Sequence, residues 1–364
     1  MGKATIAVLG SGVAGAAITQ ELARRGHQVI SLYRRPYEGS SFTNQKWQHS
    51  GLLYPNERVA RSAWDAYQKM DPLLKRFIIN RWARARFLAL EEKTLVERKR
   101  WWHEWNVKSW GIDWRCLESS EYEEIGVVGS TNTVGGLETP DCIIDFPELV
   151  AHLRNAAKAE GAQVIEGANV QRLIVDKRNA RIVGLEYETG EGFHEIDCDQ
   201  CIVAMGAWSV TLLQKSGVVL PPIVRKKCIV LAYEGELVPC ITVCLDVRKK
   251  NGETGDATLV PFKGRTLAAG TGWERTSHPD EQNMNDVDVE YLVDELVQCF
   301  PRLRDWKSTP HICIKTERDT EGRAPDVSRR IYGKADLGVE RLTLVLPGKA
   351  SFMFELAKDV AQRF

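Results

Sequence analysis

The sequence of 364 residues lacks an excess of charge of either sign, because 49 acidic residues balance 49 lysines and arginines. Proteins that bind nucleic acid in general carry a basic excess, so this balance argues against that class. No apolar run reaches the roughly 18 residues that a membrane-spanning helix needs. The chain also lacks an internal repeat and a low-complexity linker. These absences favour a globular protein that acts on a small molecule.

Cysteine is present in an odd number, nine, with no repeated spacing, which argues against a disulfide scaffold. Together with an N-terminus that lacks the features of a secretory signal, this predicts a cytoplasmic protein. Cys198 and Cys201 have C-x-x-C spacing but enter a predicted strand, whereas a redox motif would begin a helix. A zinc site would need a second pair, and Cys240 and Cys244 lie in a β-rich run. We therefore expect no metal site.

Residues 57–107 are rich in basic and aromatic side chains and are predicted to be helical. We interpret the arginines of this region as a solvated face in preference to a membrane surface, namely Arg76, Arg81, Arg84 and Arg86. The tryptophans between residues 101 and 114 are predicted to pack in a core or an interface, because large aromatic side chains are more often buried than bound to a ligand.

A strand–turn–helix–strand unit is predicted at the start of the chain. Residues 4–9 form an apolar strand, residues 16–25 a helix and residues 28–33 a second strand, with Gly10-x-Gly12-x-x-Gly15 at the turn. Gly10 permits a tight turn, Gly12 lets the backbone approach a pyrophosphate, and Gly15 lets the helix pack closely on the strand. The helix N-terminus favours phosphate, so the unit predicts a dinucleotide site.

The end of the second strand does not identify the dinucleotide. An acidic residue that binds a ribose hydroxyl is typical there, but this chain has Tyr33, followed by Arg34 and Arg35. Basic residues at this place can accept the 2′-phosphate of NADP. The turn by itself therefore leaves both FAD and NADP open.

Further elements follow with clear signals. A helix is predicted over residues 145–160, with Asp145 as N-cap and Glu148 closing a capping box. Alternation predicts strands at 163–165, 170–175 and 181–187. The β-rich runs 228–233, 241–247, 257–261 and 266–270 predict a largely antiparallel sheet, with turns at Asn251-Gly252 and Thr254-Gly255. The chain closes with a strand over 342–346, a turn over 347–349 and a helix.

Three further segments carry a resemblance to a known family: residues 135–150, residues 168–170 and residues 201–209. In this order along the chain, they resemble segments of the D-amino-acid oxidase superfamily of FAD-dependent oxidoreductases. The resemblance implies an α/β fold, with a Rossmann-type FAD-binding domain and an interleaved substrate domain on a mainly antiparallel sheet. We assign residues 1–80, 142–220 and 312–364 to the FAD-binding domain, and residues 81–141 and 221–311 to the substrate domain.

Two further segments are similar to the glycerol-3-phosphate dehydrogenase branch of that superfamily. Residues 39–54 carry its Gly-x-Ser start, its Lys, its His and its Gly-Leu-x-Tyr end, and residues 347–351 resemble its turn under the flavin. The branch has an arginine where this chain has Leu53, and its Gly-Leu-Arg-Pro segment appears only as residues 315–318. The resemblance therefore implies the fold and FAD but not glycerol 3-phosphate.

The resemblance implies a set of cofactor-binding residues spread along the chain. They are Gly10, Gly12, Val13, Ala14, Gly15, Tyr33, Arg34, Ser40, Ser41, Lys46, His49, Gly51, Val170, Ala204, Gly206, Trp208, Gly348, Lys349, Ala350 and Ser351. Among them, Lys349 would place positive charge near the flavin edge that gains negative charge on reduction.

Three residues are candidates for catalysis. His49 suits proton transfer near neutral pH, Tyr54 could hydrogen-bond the substrate, and Arg318 suits binding of a carboxylate or phosphate, a role for which Arg323 is a second candidate. The predicted activity is hydride removal from a secondary alcohol or amine of a small polar, anionic substrate. An amine or amino-acid oxidase is the nearest alternative. An NADP-dependent reductase and a flavin-binding protein without turnover also stay open.

Overall fold

The computed structural model describes residues 4–68, 72–79, 84–123, 132–249, 252–270, 273–281, 284–320 and 328–364. The strands in these residues are β1 (Thr5–Leu9), β2 (Gln28–Tyr33), β3 (Trp47–Gln48), β4 (Ala85–Ala89), β5 (Arg115–Cys116), β6 (Gly135–Thr139), β7 (Cys142–Ile143), β8 (Gln163–Glu166), β9 (Asn169–Asp176), β10 (Arg181–Thr189), β11 (Gly192–Asp197), β12 (Gln200–Val203), β13 (Ile223–Glu234), β14 (Thr242–Arg248), β15 (Thr254–Phe262), β16 (Arg265–Gly270), β17 (Glu274–Arg275), β18 (Ser308–Arg318), β19 (Arg330–Tyr332) and β20 (Leu342–Leu346).

The helices connect these strands and cover their faces. The α-helices are α1 (Val13–Arg24), α2 (Ser40–Thr43), α3 (Glu57–Gln68), α4 (Pro72–Lys75), α5 (Glu92–Glu104), α6 (Ser119–Glu123), α7 (Phe146–Ala159), α8 (Trp208–Lys215), α9 (Asp286–Val297), α10 (Lys334–Leu337) and α11 (Met353–Ala361). Short 3₁₀ turns span Val107–Trp110, Pro301–Asp305 and Ala350–Phe352.

The first sheet has the order β19-β20-β12-β1-β2-β8, and all its neighbours run parallel except the edge strand β19. Residues Ile6 to Leu9 of strand β1 are apolar and buried because both faces of the strand are covered. Ile6 and Val8 face the helices α1, α7 and α11, whereas Ala7 and Leu9 face the β9–β11 meander and α8. The predicted βαβ unit is confirmed, and it lies at the centre of this sheet.

The second sheet has the order β17-β13-β16-β15-β14-β4-β6-β5, with β18 paired to β13. Its neighbours are antiparallel except for the parallel pair β14 and β4. One face packs against α9, and the other packs against the tryptophan-rich region of α5. The predicted α/β fold with a mainly antiparallel second sheet is therefore confirmed. The domain boundaries given above stay a prediction.

Two sequence predictions about local structure were wrong. Residues 57–107 are not helical throughout, since β4 (Ala85–Ala89) lies between α4 and α5 and its residues are mostly buried in the sheet. Arg86 belongs to this strand, and Arg84 beside it pairs with Asp113 and Glu138, so the two do not share a basic helix face. Thr254 and Gly255 begin strand β15 and form no turn. Arg81 and Asn251 lie outside the described residues.

The cysteines differ from the sequence expectation at one place. Cys244 and Cys299 form a disulfide that ties β14 to the end of α9, with Cα atoms 6.4 Å apart. Cys198 and Cys201 are unpaired and buried, and burial raises the pKa of the Cys198 thiol to about 12. The described residues contain no cluster of His, Cys, Asp or Glu suited to a metal ion. Among them, no helix is long and apolar enough to cross a membrane.

Candidate functional site

The first glycine turn has no room for a side chain at two positions, Gly10 and Gly15. Gly10 follows β1 with φ +92°, and a Cβ there would lie 2.6 Å from the carbonyl oxygen of Ala204. A Cβ on Gly15 would overlap the carbonyl oxygen of Gly10. Helix α1 therefore sits directly on the turn, as the spacing of the glycines predicts.

The N-terminus of α1 opens on a cleft beside this turn. Gly12 is its N-cap and provides no side-chain cap, while the Val13 amide donates to Ser41 Oγ at 3.1 Å. The first turn of a helix carries unpaired N–H groups and partial positive charge, which suit a pyrophosphate. The cleft brings together twelve of the residues predicted to bind cofactor: Gly10, Gly12, Val13, Ala14, Tyr33, Arg34, Ser40, Ser41, Val170, Ala204, Gly206 and Trp208.

Two buried arginines that the sequence did not single out hold the walls of the cleft. Arg154 of α7 donates to the Ser11 carbonyl at 2.7 Å and to the Pro36 carbonyl at 2.8 Å, and it lies over the Tyr33 ring. Arg225 of β13 donates to the Ala207 carbonyl at 2.7 Å. A guanidinium offers five donors, so a single side chain can join two loops. For Arg154, the sequence signal was a basic residue at an inward position of the amphipathic helix α7.

Arg34 lies at the edge of the cleft, and two carboxylates neutralise its positive charge. Its guanidinium pairs with Glu38 and donates to Asp280 Oδ1 at 2.7 Å, and the bond to Glu38 chiefly raises its pKa. It also lies over the Trp208 ring, 5.1 Å from the centroid. A 2′-phosphate would have to compete with two carboxylates for this charge. The arrangement therefore disfavours the NADP alternative that Arg34 and Arg35 left open.

His49 and Tyr54 lie against each other on the loop that follows β3. Tyr54 Oη and His49 Nε2 are 3.3 Å apart. His49 Nδ1 is buried and has no hydrogen-bond partner among the described residues. Burial, together with the positive charge of Lys349, holds the pKa of His49 well below 6.5. The imidazole is therefore neutral at pH 7 and can accept a proton.

Lysines surround this pair. Lys349 lies over the Tyr54 ring at 5.2 Å, and burial lowers its pKa to about 8. Lys315 of β18 bonds Glu317 at 2.9 Å, and Lys226 bonds the same carboxylate. Burial lowers the pKa of Lys315, and the charge of Lys349 lowers it further. With three ammonium groups and one carboxylate, the cluster of Lys226, Lys315, Glu317 and Lys349 suits an anionic ligand.

Arg318 is not part of this cluster. Side chains alternate along a strand, and Lys315 and Glu317 share one face because they bond each other. Arg318 therefore projects from the opposite face, where it is exposed. The sequence pointed to residues 315–318 but singled out Arg318 and not Lys315, because the face that a strand residue occupies depends on register. Arg323, a second candidate, lies outside the described residues.

The other predicted cofactor residues lie near the cleft and support its loops. The ammonium group of Lys46 donates to the Ser41 and Phe42 carbonyls at 3.2 and 2.6 Å, so it fixes the end of α2. Gly51 has φ +98° and packs against α3, where a Cβ would lie 2.5 Å from the Ala60 carbonyl oxygen. Gly348, with φ +67°, turns the chain after β20 into the 3₁₀ turn that contains Ala350 and Ser351.

Asp141 anchors the segment that carries His49, and sequence reasoning missed it. Its carboxylate accepts from the Ser50 amide at 2.5 Å and from Trp47 Nε1 at 3.1 Å, on both sides of His49. Asp141 is 3% exposed, and burial raises its pKa to about 6 against the lowering effect of these bonds. Its position just after β6, four residues before the α7 N-cap, carries no distinctive signal in the sequence.

We expect the Asp141→Asn variant to change how stability depends on pH. The pKa of Asp141 in the folded protein, about 6, exceeds the usual value of about 3.9. Between these two pH values the carboxyl group is therefore protonated in the native state and ionised in the unfolded state. The contribution of Asp141 to stability is therefore present below pH 4 and is lost as pH rises to 6, by up to about 3 kcal/mol. Denaturant unfolding of both proteins from pH 4 to 7 measures it. A difference in free energy that is constant with pH would contradict the prediction.

Comparisons with known proteins agree with this geometry. The family model described as FAD dependent oxidoreductase matches residues 5–339. A D-amino acid dehydrogenase from Dechloromonas aromatica is 30% identical over 162 residues, which are 44% of this chain. The match spans only 36% of that relative.

Solved structures share the fold over nearly the whole chain. Glycine oxidase from Geobacillus kaustophilus has a TM-score of 0.74 at 18% identity, covering 99% of this chain and 95% of its own. Glycerol-3-phosphate dehydrogenase from Bacillus halodurans, complexed with FAD, has a TM-score of 0.67 at 16% identity, covering 99% and 64%. At these identities the likeness concerns the fold.

Proposed function

This chain belongs to the family of FAD-dependent oxidoreductases, and we propose that it oxidises the Cα–N bond of a small α-amino acid. The cofactor is FAD, which supplies the acceptor for the hydride that leaves Cα. The glycine turn fits this cofactor for two reasons. The absence of side chains at Gly10 and Gly15 lets α1 pack directly on the turn, and the N-terminus of α1 faces the cleft where the pyrophosphate would lie. The product of the proposed reaction is an imino acid.

The observation that carries this proposal is the lysine cluster next to His49 and Tyr54. The charge of Lys349 lowers the pKa of Lys315, burial lowers the pKa of both lysines, and the charge of Glu317 partly offsets these effects. An amino-acid carboxylate would fill the place between such groups and form charge-assisted hydrogen bonds. Lys349 would in addition stabilise negative charge that develops on the cofactor.

His49 is assigned the proton of the substrate amine. An ammonium group must lose a proton before its nitrogen lone pair can assist departure of hydride from Cα. His49 Nδ1 is buried without a partner in the described part of the chain, and the ring is neutral at pH 7. In the tautomer whose Nε2–H donates to Tyr54 Oη, Nδ1 is the nitrogen that accepts the proton. Tyr54 Oη holds the other ring nitrogen and so fixes the orientation of the ring.

A secondary alcohol is the second candidate substrate, because residues 39–54 resemble the glycerol-3-phosphate dehydrogenase branch. That branch uses an arginine where Leu53 stands here. Leu53 packs against the apolar cluster around Trp64 and Trp102, and its carbonyl accepts from Arg98 at 2.6 Å. Since this position offers no charge to a phosphate, we favour an amino acid.

The test is anaerobic mixing of the purified, FAD-loaded protein with a panel of D- and L-amino acids, 2-hydroxy acids and glycerol 3-phosphate. Loss of the flavin absorbance band reports reduction. We expect bleaching with at least one α-amino acid and none with the matched hydroxy acid. Bleaching by hydroxy acids alone would show that the substrate is a secondary alcohol. No bleaching by any compound would favour a flavin-binding protein without turnover.

Lys315→Ala and Arg318→Ala form a matched pair that tests the binding site. A charge-assisted hydrogen bond contributes about 1.5–3 kcal/mol, so we expect Lys315→Ala to lower kcat/KM for the amino acid about 10- to 150-fold. Arg318→Ala should have little effect, because Arg318 lies on the other face of β18. Steady-state kinetics measures both. If Arg318→Ala were the more damaging change, the carboxylate site would lie elsewhere.

A further inference from the structure

Two cysteines that the proposed reaction does not use face each other across neighbouring strands. The register of β13 and β18 places Cys228 directly opposite Cys313. Residues in directly opposed antiparallel pairs have Cα atoms about 4.5–5.5 Å apart, within the roughly 4.4–6.8 Å range that a disulfide spans. Directly opposed residues of an antiparallel pair project to the same face of the sheet, so this register puts both sulfurs on the same side. Both cysteines are unpaired in the structure.

The surroundings of the pair differ from those of an ordinary buried cysteine. Cys228 and Cys313 are 6% and 2% exposed, in a small apolar cluster with Val230 and Leu267. The Cys313 thiol also bonds the Thr43 side chain, at the end of α2. Lys46 and Lys315 bring positive charge to this side of the cluster, which favours a thiolate.

The pKa values of the two thiols are pushed apart. The hydrogen bond from Cys228 chiefly lowers the pKa of Cys313 to about 7, against the effect of burial. The pKa of Cys228 is raised well above its usual value by the same bond and by burial. By contrast, burial raises the pKa of Cys142 to about 12 and that of Cys240 to about 11. Thiolate character is thus concentrated on Cys313.

We propose that Cys228 and Cys313 form a reversible dithiol–disulfide site that takes hydrogen peroxide as its oxidant. The Cys313 thiolate attacks one peroxide oxygen, the O–O bond breaks, and a sulfenic acid forms while the departing hydroxide becomes water. The Cys228 thiol then loses its proton, its sulfur bonds to Cys313, and the sulfenic oxygen leaves as a second water. Two thiols are oxidised by two electrons and one peroxide is reduced to two waters. The inference does not depend on which amino acid the enzyme oxidises.

The test uses the FAD-loaded, full-length protein treated with a small excess of hydrogen peroxide. The sample is then unfolded, alkylated with N-ethylmaleimide and digested for mass spectrometry. We expect both cysteines to lose the label and to appear in one linked peptide, lighter by about 2 Da than the two thiol peptides together. Dithiothreitol should restore the label. The linked Cys244–Cys299 peptide, present before oxidation, serves as the internal reference.

Variants separate this site from general thiol oxidation. Cys116→Ser removes an exposed cysteine and should leave the linkage unchanged. In Cys228→Ser, Cys313 has no thiol partner, so we expect no linked peptide: Cys313 gains one oxygen as a sulfenic acid, which dithiothreitol reduces, and only the fraction oxidised further to sulfinic acid fails to recover its label. Two results would overturn the proposal in the unmodified protein: both cysteines keep the label after peroxide, or Cys313 gains oxygen without linking to Cys228.

Discussion

Replacing His49 by alanine is expected to slow reduction of the flavin about 10²- to 10⁴-fold, the usual contribution of a positioned general base. FAD should stay bound, because His49 does not line the cleft that holds Gly10 and Ser41. The physical reason is the loss of a buried, neutral ring nitrogen that has no other partner in the described residues. Stopped-flow absorbance under anaerobic conditions measures the rate, and the flavin content of the purified variant measures cofactor binding.

His103→Ala provides a matched control, because His103 lies exposed on α5 with its ring against Trp114. It should reduce its flavin at the rate of the unmodified protein. The pH profile gives a second readout. Because the pKa of His49 lies well below 6.5, the neutral form persists as pH falls through that value. We therefore expect no loss of rate assignable to His49 near pH 6.5. Equal rates in His49→Ala and the unmodified protein would remove His49 from the mechanism.

A methyl group on Gly15 is expected to abolish cofactor binding and with it all activity. The Cβ of alanine would overlap the carbonyl oxygen of Gly10, which is backbone and cannot rotate away. Either α1 or the turn must shift, and both carry groups that line the cleft. Overpacking of this kind costs about 1–3 kcal/mol, and occasionally more, so the melting temperature should also fall. Flavin absorbance of the purified variant and thermal unfolding measure the two effects.

Gly190→Ala is the control for this substitution. Gly190 lies in the turn between β10 and β11, and a Cβ there meets no atom within 4 Å. It tests whether loss of a glycine alone, through the entropy of the unfolded chain, changes stability. We expect it to bind FAD normally. A Gly15→Ala protein that is purified yellow, with unchanged melting temperature, would show that the turn tolerates the methyl group and that the close contact does not govern binding.

The sequence by itself determined the first βαβ unit and the cofactor turn. Both are local: β1, the glycines and α1 occupy one short segment, and the spacing of Gly10, Gly12 and Gly15 carries its own geometric meaning. Helix α7 was equally clear, since Asp145 caps it as predicted, accepting from the Glu148 amide at 3.2 Å. Strand β4 was missed because its basic residues pair across the sheet, a contact that the sequence pattern does not show.

Only the tertiary structure decided which side chains surround His49. The sequence left Arg34 open as a site for a 2′-phosphate, but Asp280, 246 residues further along the chain, joins Glu38 in neutralising it. It proposed Arg318 as the substrate arginine, but the register of β18 turns Lys315 and Glu317 toward the cluster instead. Asp141 anchors the His49 loop from a separate strand connection. Pairing, register and charge neutralisation join residues distant in sequence, so they follow from packing and not from local pattern.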